Sequence, residues 1–270
     1  MFSAVNYKKA ESLEEAWQLN QKRSNKIIGG MLWMKMGKGR INTAIDLSGL
    51  GLDSIEETDE YFKIGCMVTL RMLETHVGLN KYTSGAVREA VKNIVGVQFR
   101  NLATVGGSIF GRYGFSDVLT VLMAADSSVE LYKGGIIPLR EFAEMKHDND
   151  ILVSVIVKKT PTRFSYKSVR NSKTDFPILT CAAARYEKDL LFSVGARPSK
   201  AKVVYVPEEL AGKMMNEETA AEIGKYAAQQ LSFGSNMRAG AAYRHHLAEV
   251  LVKRACLDLT ENGEGDKSCL

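Results

Sequence analysis

The chain has 270 residues, of which 45% are hydrophobic and 25% are charged, a composition typical of a folded protein with about two domains. Its formal net charge is +5, but the basic residues are scattered and do not alternate with aromatic ones, which argues against a nucleic-acid-binding protein. No stretch approaches the roughly 18 apolar residues of a membrane span, and the start does not resemble a signal peptide. We therefore predict a cytoplasmic protein with no membrane span.

The four cysteines are dispersed and form no CxxC pair, and no histidine lies near them at a spacing typical of metal ligands. The sequence therefore predicts no metal site and no iron–sulfur cluster in this chain. Cys66, Cys181 and Cys256 lie in apolar segments, which predicts buried, reduced side chains. Cys269 lies close to the C-terminus, in a segment that we expect to fray.

The first elements in chain order suggest a βαββ-like unit. The patterns predict a helix over residues 12–20, an apolar strand over 26–28 and another strand over 43–47. The strand at 26–28 is followed directly by the pair Gly29-Gly30. Glycine allows the backbone to approach a ligand closely, so consecutive amides of such a pair can face phosphate oxygens.

A second glycine pair, Gly106-Gly107, follows a predicted strand at 61–66 and helical patterns at 69–76 and 84–94. Thr104 and Ser108 flank this pair and offer hydroxyl donors. Two such loops suit the two phosphates of a dinucleotide. The next helix is predicted over 116–125, and Asp117 in its first turn either caps the helix or contacts a ligand.

The remaining patterns predict a hairpin at Gly134-Gly135, a strand over 151–157 and a break at the charged, proline-containing residues 158–161. After the break, strands are predicted at 164–169, 179–186, 190–194 and 203–206, and helices at 217–231 and 240–259. The prediction is therefore a first domain over residues 1–160, with subdomains of about 1–52 and 53–160, and a second domain over 161–270.

Five segments together resemble one family, the flavin-binding subunits of molybdenum hydroxylases, which include bacterial xanthine dehydrogenase and carbon monoxide dehydrogenase. They are IIGGMLWMKMGKG, IDLSGL, FKIGCMVTLRMLE, RNLATVGGSIF with a following SD, and RAGAAYRHHLAEVLVKRA. Their order and spacing cover nearly the whole chain. The resemblance implies an α+β fold: a two-part FAD-binding domain of the vanillyl-alcohol-oxidase (PCMH) type, then a small C-terminal α+β domain with an antiparallel sheet and helices.

The resemblance also implies which residues contact FAD. One wall around the pyrophosphate consists of Ile28, Gly29, Gly30, Met31, Leu32 and Trp33. The opposite wall consists of Thr104, Gly106, Gly107 and Ser108. Asp117 matches an acid that contacts the adenosine half, and Leu152 matches an apolar contact. Lys167 matches a basic residue near the flavin, and Phe176 falls where an apolar side chain approaches the isoalloxazine ring.

By the same resemblance, this chain is an electron-transfer subunit. A large partner subunit with the molybdenum cofactor hydroxylates the substrate, a small [2Fe–2S] subunit relays electrons, and FAD here delivers them to NAD⁺. The implied assembly is a heterotrimer or a dimer of heterotrimers. Such a subunit needs no acid–base pair of its own, and the four histidines suggest neither a triad nor a metal site. We therefore expect no catalytic side chain and no metal ligand.

Two alternatives stay open. Met31 stands where the family has a hydroxyl residue, and Leu32 stands where an acid or amide is common, so the chain is alternatively a scaffold subunit with weak or lost FAD binding. It is alternatively a stand-alone FAD-dependent oxidase of the same fold, although the sequence shows no candidate base. These residues identify neither the substrate of the complex nor the electron acceptor.

Overall fold

The structure is a computed structural model that describes residues 2–160, 162–187 and 189–261. The segment around Cys269 and the predicted break residue Pro161 lie outside the described residues. Contacts between Cα atoms divide the chain into two compact units. Unit 1 takes residues up to 73, then 96–111 and 127–158, and unit 2 takes 74–95, 112–126 and the residues from 159 onward.

Helices and strands are numbered in chain order. Up to residue 75 they are β1 (Ser3–Lys9), α1 (Leu13–Asn20), β2 (Lys26–Ile28), α2 (Leu32–Met36), β3 (Arg40–Asp46), β4 (Ile55–Glu57), β5 (Tyr61–Gly65) and α3 (Leu70–Thr75). They continue to residue 158 with α4 (Val77–Tyr82), α5 (Ala86–Val91), α6 (Val97–Arg100), α7 (Val105–Phe110), α8 (Asp117–Ala124), β6 (Ser127–Leu131), β7 (Gly135–Pro138), α9 (Leu139–Glu144) and β8 (Leu152–Lys158). The last are β9 (Arg163–Arg170), β10 (Pro177–Arg185), β11 (Leu190–Gly195), β12 (Lys202–Tyr205), α10 (Glu208–Ala211), α11 (Glu217–Gln229) and α12 (Ala241–Glu261).

Unit 1 begins with a three-stranded parallel sheet in the order β1-β3-β2. The order β1-α1-β2-β3 agrees with the predicted βαββ-like unit, and the short helix α2 is inserted between β2 and β3. The sequence pattern missed β1 because six of its seven residues are exposed, which removes the alternation of apolar and polar residues. Ile28, Ile41 and Ala44 form a small core beside this sheet, with Met31 and Met34 packed against it.

The second sheet of unit 1 is antiparallel and has the order β4-β5-β8-β6-β7. Its central strand, β8, pairs with β5 and β6 and is an almost continuous apolar run that is buried over most of its length. The predicted hairpin at Gly134-Gly135 is confirmed, since it joins β6 to β7. Helix α7, which contains the second glycine pair, contacts β5 and β8 and is thereby fixed to this sheet.

Unit 2 is built on a four-stranded antiparallel sheet in the order β12-β11-β10-β9. Helix α8 contacts β10 and β11, while α12 contacts β9 and β10 and packs against α11. Alternate residues of β10 point to opposite faces: Thr180 bonds Thr120 of α8, whereas Leu179 and Cys181 join the core formed with α11 and α12. The predicted α+β class, with an antiparallel sheet and helices after the break, is confirmed.

One face of α12 differs from the sequence prediction. The sequence pattern places Tyr243, Leu247, Val250 and Leu251 on one face of this helix and predicts that they pack in the core, but Tyr243 is half exposed. The buried face instead runs through Arg244, Leu247 and Leu251, which are separated by three and four residues. Arg244 is fully buried and donates a hydrogen bond of 2.6 Å to Oδ1 of Asn236.

None of the helices in the described part of the chain combines the length and the apolar character that a membrane crossing requires.

Candidate functional site

The two glycine segments, residues 28–33 and 102–108, contact each other within unit 1. A Cβ atom on Gly30 would lie 1.9 Å from the carbonyl oxygen of Leu102, and one on Gly29 would lie 2.5 Å from Oγ1 of Thr104. Both distances are far shorter than any real contact, so the close approach of the two segments requires glycine at both positions. The structure therefore brings together the two walls that the sequence predicted.

Segment 28–33 offers free backbone amides at this contact. It follows strand β2, and Met31 adopts the left-handed conformation with φ 58° immediately before α2. Within the part of the chain that the structure describes, the amides of Gly29, Gly30 and Met31 donate to no acceptor. All three residues are partly exposed. Consecutive free amides of this kind form a favourable site for an anion such as a phosphate.

Met31, which by the resemblance stands in place of a hydroxyl residue, has a packing role. Its side chain packs against the core of Ile28, Ile41 and Ala44. A left-handed conformation costs a residue with a side chain about 1–2 kcal/mol, and burial of apolar surface offsets this cost. Met31 therefore offers a phosphate its backbone amide and no side-chain donor.

Segment 102–108 does not present its glycine amides in the way the sequence suggested. Gly106 and Gly107 lie inside helix α7 and not in a loop that leads to the helix at 117. The amide of Gly106 donates to the carbonyl oxygen of Cys66 at 2.8 Å, and the amide of Gly107 donates to Oγ1 of Thr104 at 3.2 Å. The expectation that these two amides face a phosphate is therefore wrong, because the fold already uses both.

Other groups of segment 102–108 remain suitable for ligand contact. Gly107 is exposed, and its added Cβ would meet Oγ1 of Thr104 alone, at 3.2 Å, so the surface beside it is open. The hydroxyl of Thr104 accepts the Gly107 amide and retains its own hydrogen for a further acceptor. The hydroxyl of Ser108 instead donates to the carbonyl oxygen of Thr104 at 3.0 Å.

The other predicted residues of unit 1 differ in exposure. Leu32 and Trp33 are partly exposed on α2, and the ring of Trp33 meets Phe99 edge-on at 5.9 Å. Ile28 and Leu152 are buried, in the small core and in strand β8 respectively. Their side chains therefore pack within the unit, in support of the segments that carry the exposed groups.

Asp117, in unit 2, is not a helix cap. Ser116 caps α8, since its Oγ accepts the amide of Leu119 at 3.1 Å. The carboxylate of Asp117 is buried, and its Oδ1 accepts hydrogen bonds from the Tyr166 hydroxyl at 2.5 Å and from the guanidinium of Arg170. Burial raises the pKa of Asp117 to about 6, although the positive charge of Arg170 opposes this shift. Burial also raises the pKa of Tyr166 well above its usual value.

Lys167 lies on the other face of the same strand. Its Nζ forms an ion pair of 2.6 Å with Asp258 of α12, whereas its neighbour Tyr166 points to Asp117 of α8. Successive residues of a strand point to opposite sides, so the structure does not bring Lys167 to Asp117.

Phe176 belongs to an aromatic cluster that the sequence reasoning missed. Its ring meets Phe115 edge-on at 4.5 Å, and Phe115 stacks on Tyr113 at 5.2 Å. The guanidinium of Arg238 lies 4.8 Å from the Phe176 ring centroid and pairs with Asp175 at 3.2 Å. The only sequence signal for this cluster was the alternation of two aromatic residues just before Asp117.

Among the described residues, no group of three histidine, cysteine, aspartate or glutamate side chains is placed to hold a metal ion. The consecutive free amides of Gly29, Gly30 and Met31, held against segment 102–108, are a feature of proteins that bind a phosphate-containing cofactor.

Comparison with known families agrees with this class. Residues 3–159 match the family described as the FAD binding domain in molybdopterin dehydrogenase, and residues 164–259 match the CO dehydrogenase flavoprotein C-terminal domain. Because the first match alone spans more than half of the chain, the chain belongs to this family and is an FAD-binding, medium-type oxidoreductase subunit of the molybdenum hydroxylases. The resemblance predicted from the sequence is confirmed.

Individual relatives align with the chain over nearly its full length. The nicotine 6-hydroxylase medium subunit of Paenarthrobacter nicotinovorans is 25% identical, over 94% of this chain and 97% of the relative. A putative xanthine dehydrogenase FAD-binding subunit of Escherichia coli (strain K12) is 23% identical, over 94% and 95%. In fold, the chain resembles quinoline 2-oxidoreductase from Pseudomonas putida 86, with a TM-score of 0.85, 20% identity and coverage of 96% and 97%.

Proposed function

We propose that this chain binds FAD and transfers electrons from the [2Fe–2S] cluster of a partner subunit to NAD⁺. The observation that carries the proposal is the row of free amides at Gly29, Gly30 and Met31, held against the segment of Thr104 by a contact that excludes side chains. These amides suit the pyrophosphate, with Leu32, Trp33 and Gly107 as the exposed groups around it.

When bound, FAD supplies chemistry that takes up electrons singly and releases a pair as hydride, so the protein needs to bind and orient it without an acid–base pair of its own. The backbone of residues 29–31 would hold the pyrophosphate. The hydroxyl of Thr104 keeps a hydrogen to donate, and by the resemblance Asp117 would be an acceptor for the adenosine half. We assign Phe176 and Lys167 to the flavin end, as the resemblance implies.

The partners follow from the relatives. One relative is called a medium subunit and another an FAD-binding subunit, so we infer that this chain assembles with a large molybdenum-cofactor subunit and a small [2Fe–2S] subunit. We further propose a cytoplasmic heterotrimer or a dimer of heterotrimers. Residues 1–160 form the FAD-binding domain of this proposal and residues 161–270 form the C-terminal domain.

The first experiment is a visible absorption spectrum of the purified chain, with the released cofactor identified after denaturation. We expect flavin bands and about one FAD per chain, because the free amides of segment 28–33 can hold a pyrophosphate. A colourless protein that also fails to take up added FAD would contradict the proposal and favour the scaffold alternative.

A bulky substitution at Gly107 tests the site itself. Gly107 is exposed, so we expect Gly107→Leu to abolish flavin binding while the fold is kept, because the new side chain would occupy the open surface beside Thr104. The measurements are flavin content and the circular dichroism melting curve. Gly39→Leu is the matched control, since nothing lies within 4 Å of an added Cβ there. Normal flavin content in Gly107→Leu would remove segment 102–108 from the site.

The electron acceptor and the location of substrate oxidation need separate tests. We expect NADH to reduce the bound flavin of the isolated chain anaerobically, which is the reverse of the proposed transfer, with NADPH as the comparison. If NADH does not reduce the bound flavin, NAD⁺ is excluded as the electron acceptor.

The isolated chain should not oxidise purines or aldehydes. Reduction of its flavin by a small alcohol would support the stand-alone oxidase.

A further inference from the structure

One segment of unit 1 accounts for the net positive charge of the chain. Between Glu15 and Asp46 there is no acidic residue, and the segment contains six basic ones: Lys22, Arg23, Lys26, Lys35, Lys38 and Arg40. The rest of the chain has 30 basic and 31 acidic residues, so its formal charge is nearly zero. All six residues are exposed, and none of them forms an ion pair within the residues that the structure describes.

The fold gathers these six residues at one edge of the first sheet. Strands β1, β2 and β3 are parallel, so all three begin at the same edge. Arg40 begins β3 and Lys26 begins β2, with Lys22 and Arg23 in the turn that leads into β2. Helix α2 joins the end of β2 to the start of β3, so it runs back to that edge and brings the other two lysines there. We call this group of six residues the basic edge.

Acidic side chains in the neighbouring loop are engaged elsewhere. Asp148 and Asp150 flank Asn149, whose carbonyl oxygen accepts hydrogen bonds from Asn20 and Gln21 at 2.8 and 3.1 Å. Oδ1 of Asp148 accepts the amide of Asp150 at 3.1 Å, and the carboxylate of Asp150 accepts backbone amides of the turn between β6 and β7. These two carboxylates therefore shape their own loop, and the cations of the basic edge stay available to a partner.

An exposed apolar side chain lies among these cations. Met36, at the end of α2, is 76% exposed, and Lys35 and Lys38 lie on either side of it in the sequence. Cations around an apolar contact suit a protein surface that carries carboxylates, because complementary charges steer association and fix the register of two proteins.

Nucleic acid and an anionic membrane fit this surface less well. Unpaired bases stack on exposed aromatic rings, and membrane surfaces take up several apolar side chains. Among the described residues 35–40, Met36 is the one apolar side chain. The composition of the basic edge therefore favours an acidic protein surface.

We propose that the basic edge docks the acidic face of a partner subunit, with Met36 as an apolar contact between the two proteins. The inference rests on the proposed function, because that function requires a partner subunit. It deepens that function by naming the docking surface and the chemistry of the partner. Association is then fastest at low ionic strength and weakens as salt screens the charges.

The test uses the complex purified from native cells through an affinity tag on this chain. Molybdenum and iron analysis identifies the co-purified subunits. Zero-length carbodiimide cross-linking, read by mass spectrometry, then joins lysines to the carboxylates that contact them. We expect cross-links from Lys35 or Lys38 to an aspartate or glutamate of a partner subunit.

Charge reversal measures what the basic edge contributes. We expect the triple variant Lys35→Glu, Lys38→Glu, Arg40→Glu to weaken association with the separated partner subunits about 10- to 100-fold at low salt, and to flatten the salt dependence. Its flavin content should equal that of the wild type. Exchange of the cross-linked acid of the partner for lysine should restore part of the lost affinity.

A matched control carries the same change of charge elsewhere. Lys81, Lys202 and Lys225 are exposed lysines of α4, β12 and α11, and glutamate at all three should leave the affinity for the partner subunits close to the wild-type value. If the first triple variant fails to fold, Lys38→Glu alone, in the loop after α2, should still weaken association about 3- to 10-fold.

The outcomes separate the inference from the proposed function. Cross-links confined to other lysines, or equal weakening by the two triple variants, would overturn the inference and leave the proposed function standing. Loss of binding to phosphatidylglycerol vesicles or to a DNA oligonucleotide in the first triple variant, with subunit association unchanged, would also overturn it. A wild-type chain that co-purifies with neither molybdenum nor iron would overturn both.

Discussion

The glycines around the site are required chiefly by close approach of other backbone segments. Gly30 faces the carbonyl oxygen of Leu102, and Gly106 faces the backbone of Cys66, at distances that no Cβ atom tolerates. The sequence identified both pairs as glycine-dependent, but it could not show which amides are free. That depended on the packing of α7 against the end of β5, which places the carbonyl oxygen of Cys66 beside the amide of Gly106.

Alanine at the two neighbouring glycines of α7 should have different effects. A Cβ on Gly106 would lie 2.7 Å from the carbonyl oxygen of Cys66, so we expect Gly106→Ala to lower the free energy of unfolding by about 1–3 kcal/mol. Gly107→Ala meets a single hydroxyl at 3.2 Å and should change stability little. Chemical denaturation of both variants measures this, and equal stabilities would contradict the packing described for α7.

The titration of Asp117 should be visible in the pH dependence of stability. Burial raises its pKa from 3.8 in the unfolded chain to about 6 in the fold, so the folded protein keeps this proton to a higher pH. The stability contributed by the protonated form is fully present below about pH 4 and is lost as the pH rises toward about 6.

The measurement is the unfolding free energy of the wild type and of Asp117→Asn across this range. We expect the wild type to lose stability relative to the variant as the pH rises. Parallel curves for the two proteins would show that Asp117 does not titrate there.

The partners of Asp117 mark the limit of sequence reasoning at the residue scale. The resemblance identified Asp117, but Tyr166 and Arg170 lie about fifty residues further along the chain and reach its carboxylate through hydrogen bonds from β9. Their spacing of four residues does put them on one face of a strand. Nothing in the sequence says which helix covers that face.

At the scale of helices and strands, the sequence predicted the elements whose burial in a core gives a clear pattern of apolar residues. Strands β9 to β12 and helices α11 and α12 lie where the apolar patterns placed them, because each packs one or both faces into a core. The exposed strand β1 and the five-residue helix α2 were missed, since neither carries such a pattern.

The contact between α11 and α12 should reverse the usual effect of a glycine-to-alanine change. In an ordinary helix interior, alanine is favoured over glycine by about 1 kcal/mol. A Cβ on Gly224 of α11 would lie 2.5 Å from the carbonyl oxygen of Glu249 of α12, so we expect Gly224→Ala to lower the melting temperature. Gly240→Ala, with open space around its Cβ, is the control. A higher melting temperature for Gly224→Ala would contradict this close packing.

At the scale of the whole molecule, the sequence patterns and the compact units divide the chain differently. The two family matches are separated by residues 160–163, near the predicted break, but unit 2 also takes residues 74–95 and 112–126 from the first match. Sequence patterns follow the order of residues along the chain. Compact units follow contacts, which here join helix α8 to strands that come much later.

A fragment of residues 1–160 should therefore fold poorly. All eight residues of α8 are buried, and α8 contacts β10 and β11, which the fragment lacks. We expect low soluble yield and loss of cooperative thermal unfolding, because apolar side chains without their cover favour aggregation. Co-expression with residues 161–270 should restore both. A fragment that unfolds cooperatively at the melting temperature of the full chain would contradict the assignment of α8 to unit 2.

The burial of α8 also has a consequence for synthesis on the ribosome. The helix is complete at Ala124, but the strands that cover it end only at Gly195. A growing chain therefore displays an apolar helix to chaperones while much of the second family segment is still being translated. Slow translation in that interval would lengthen the exposure, so codon choice between residues 125 and 195 should influence the yield of native protein more than codon choice after it.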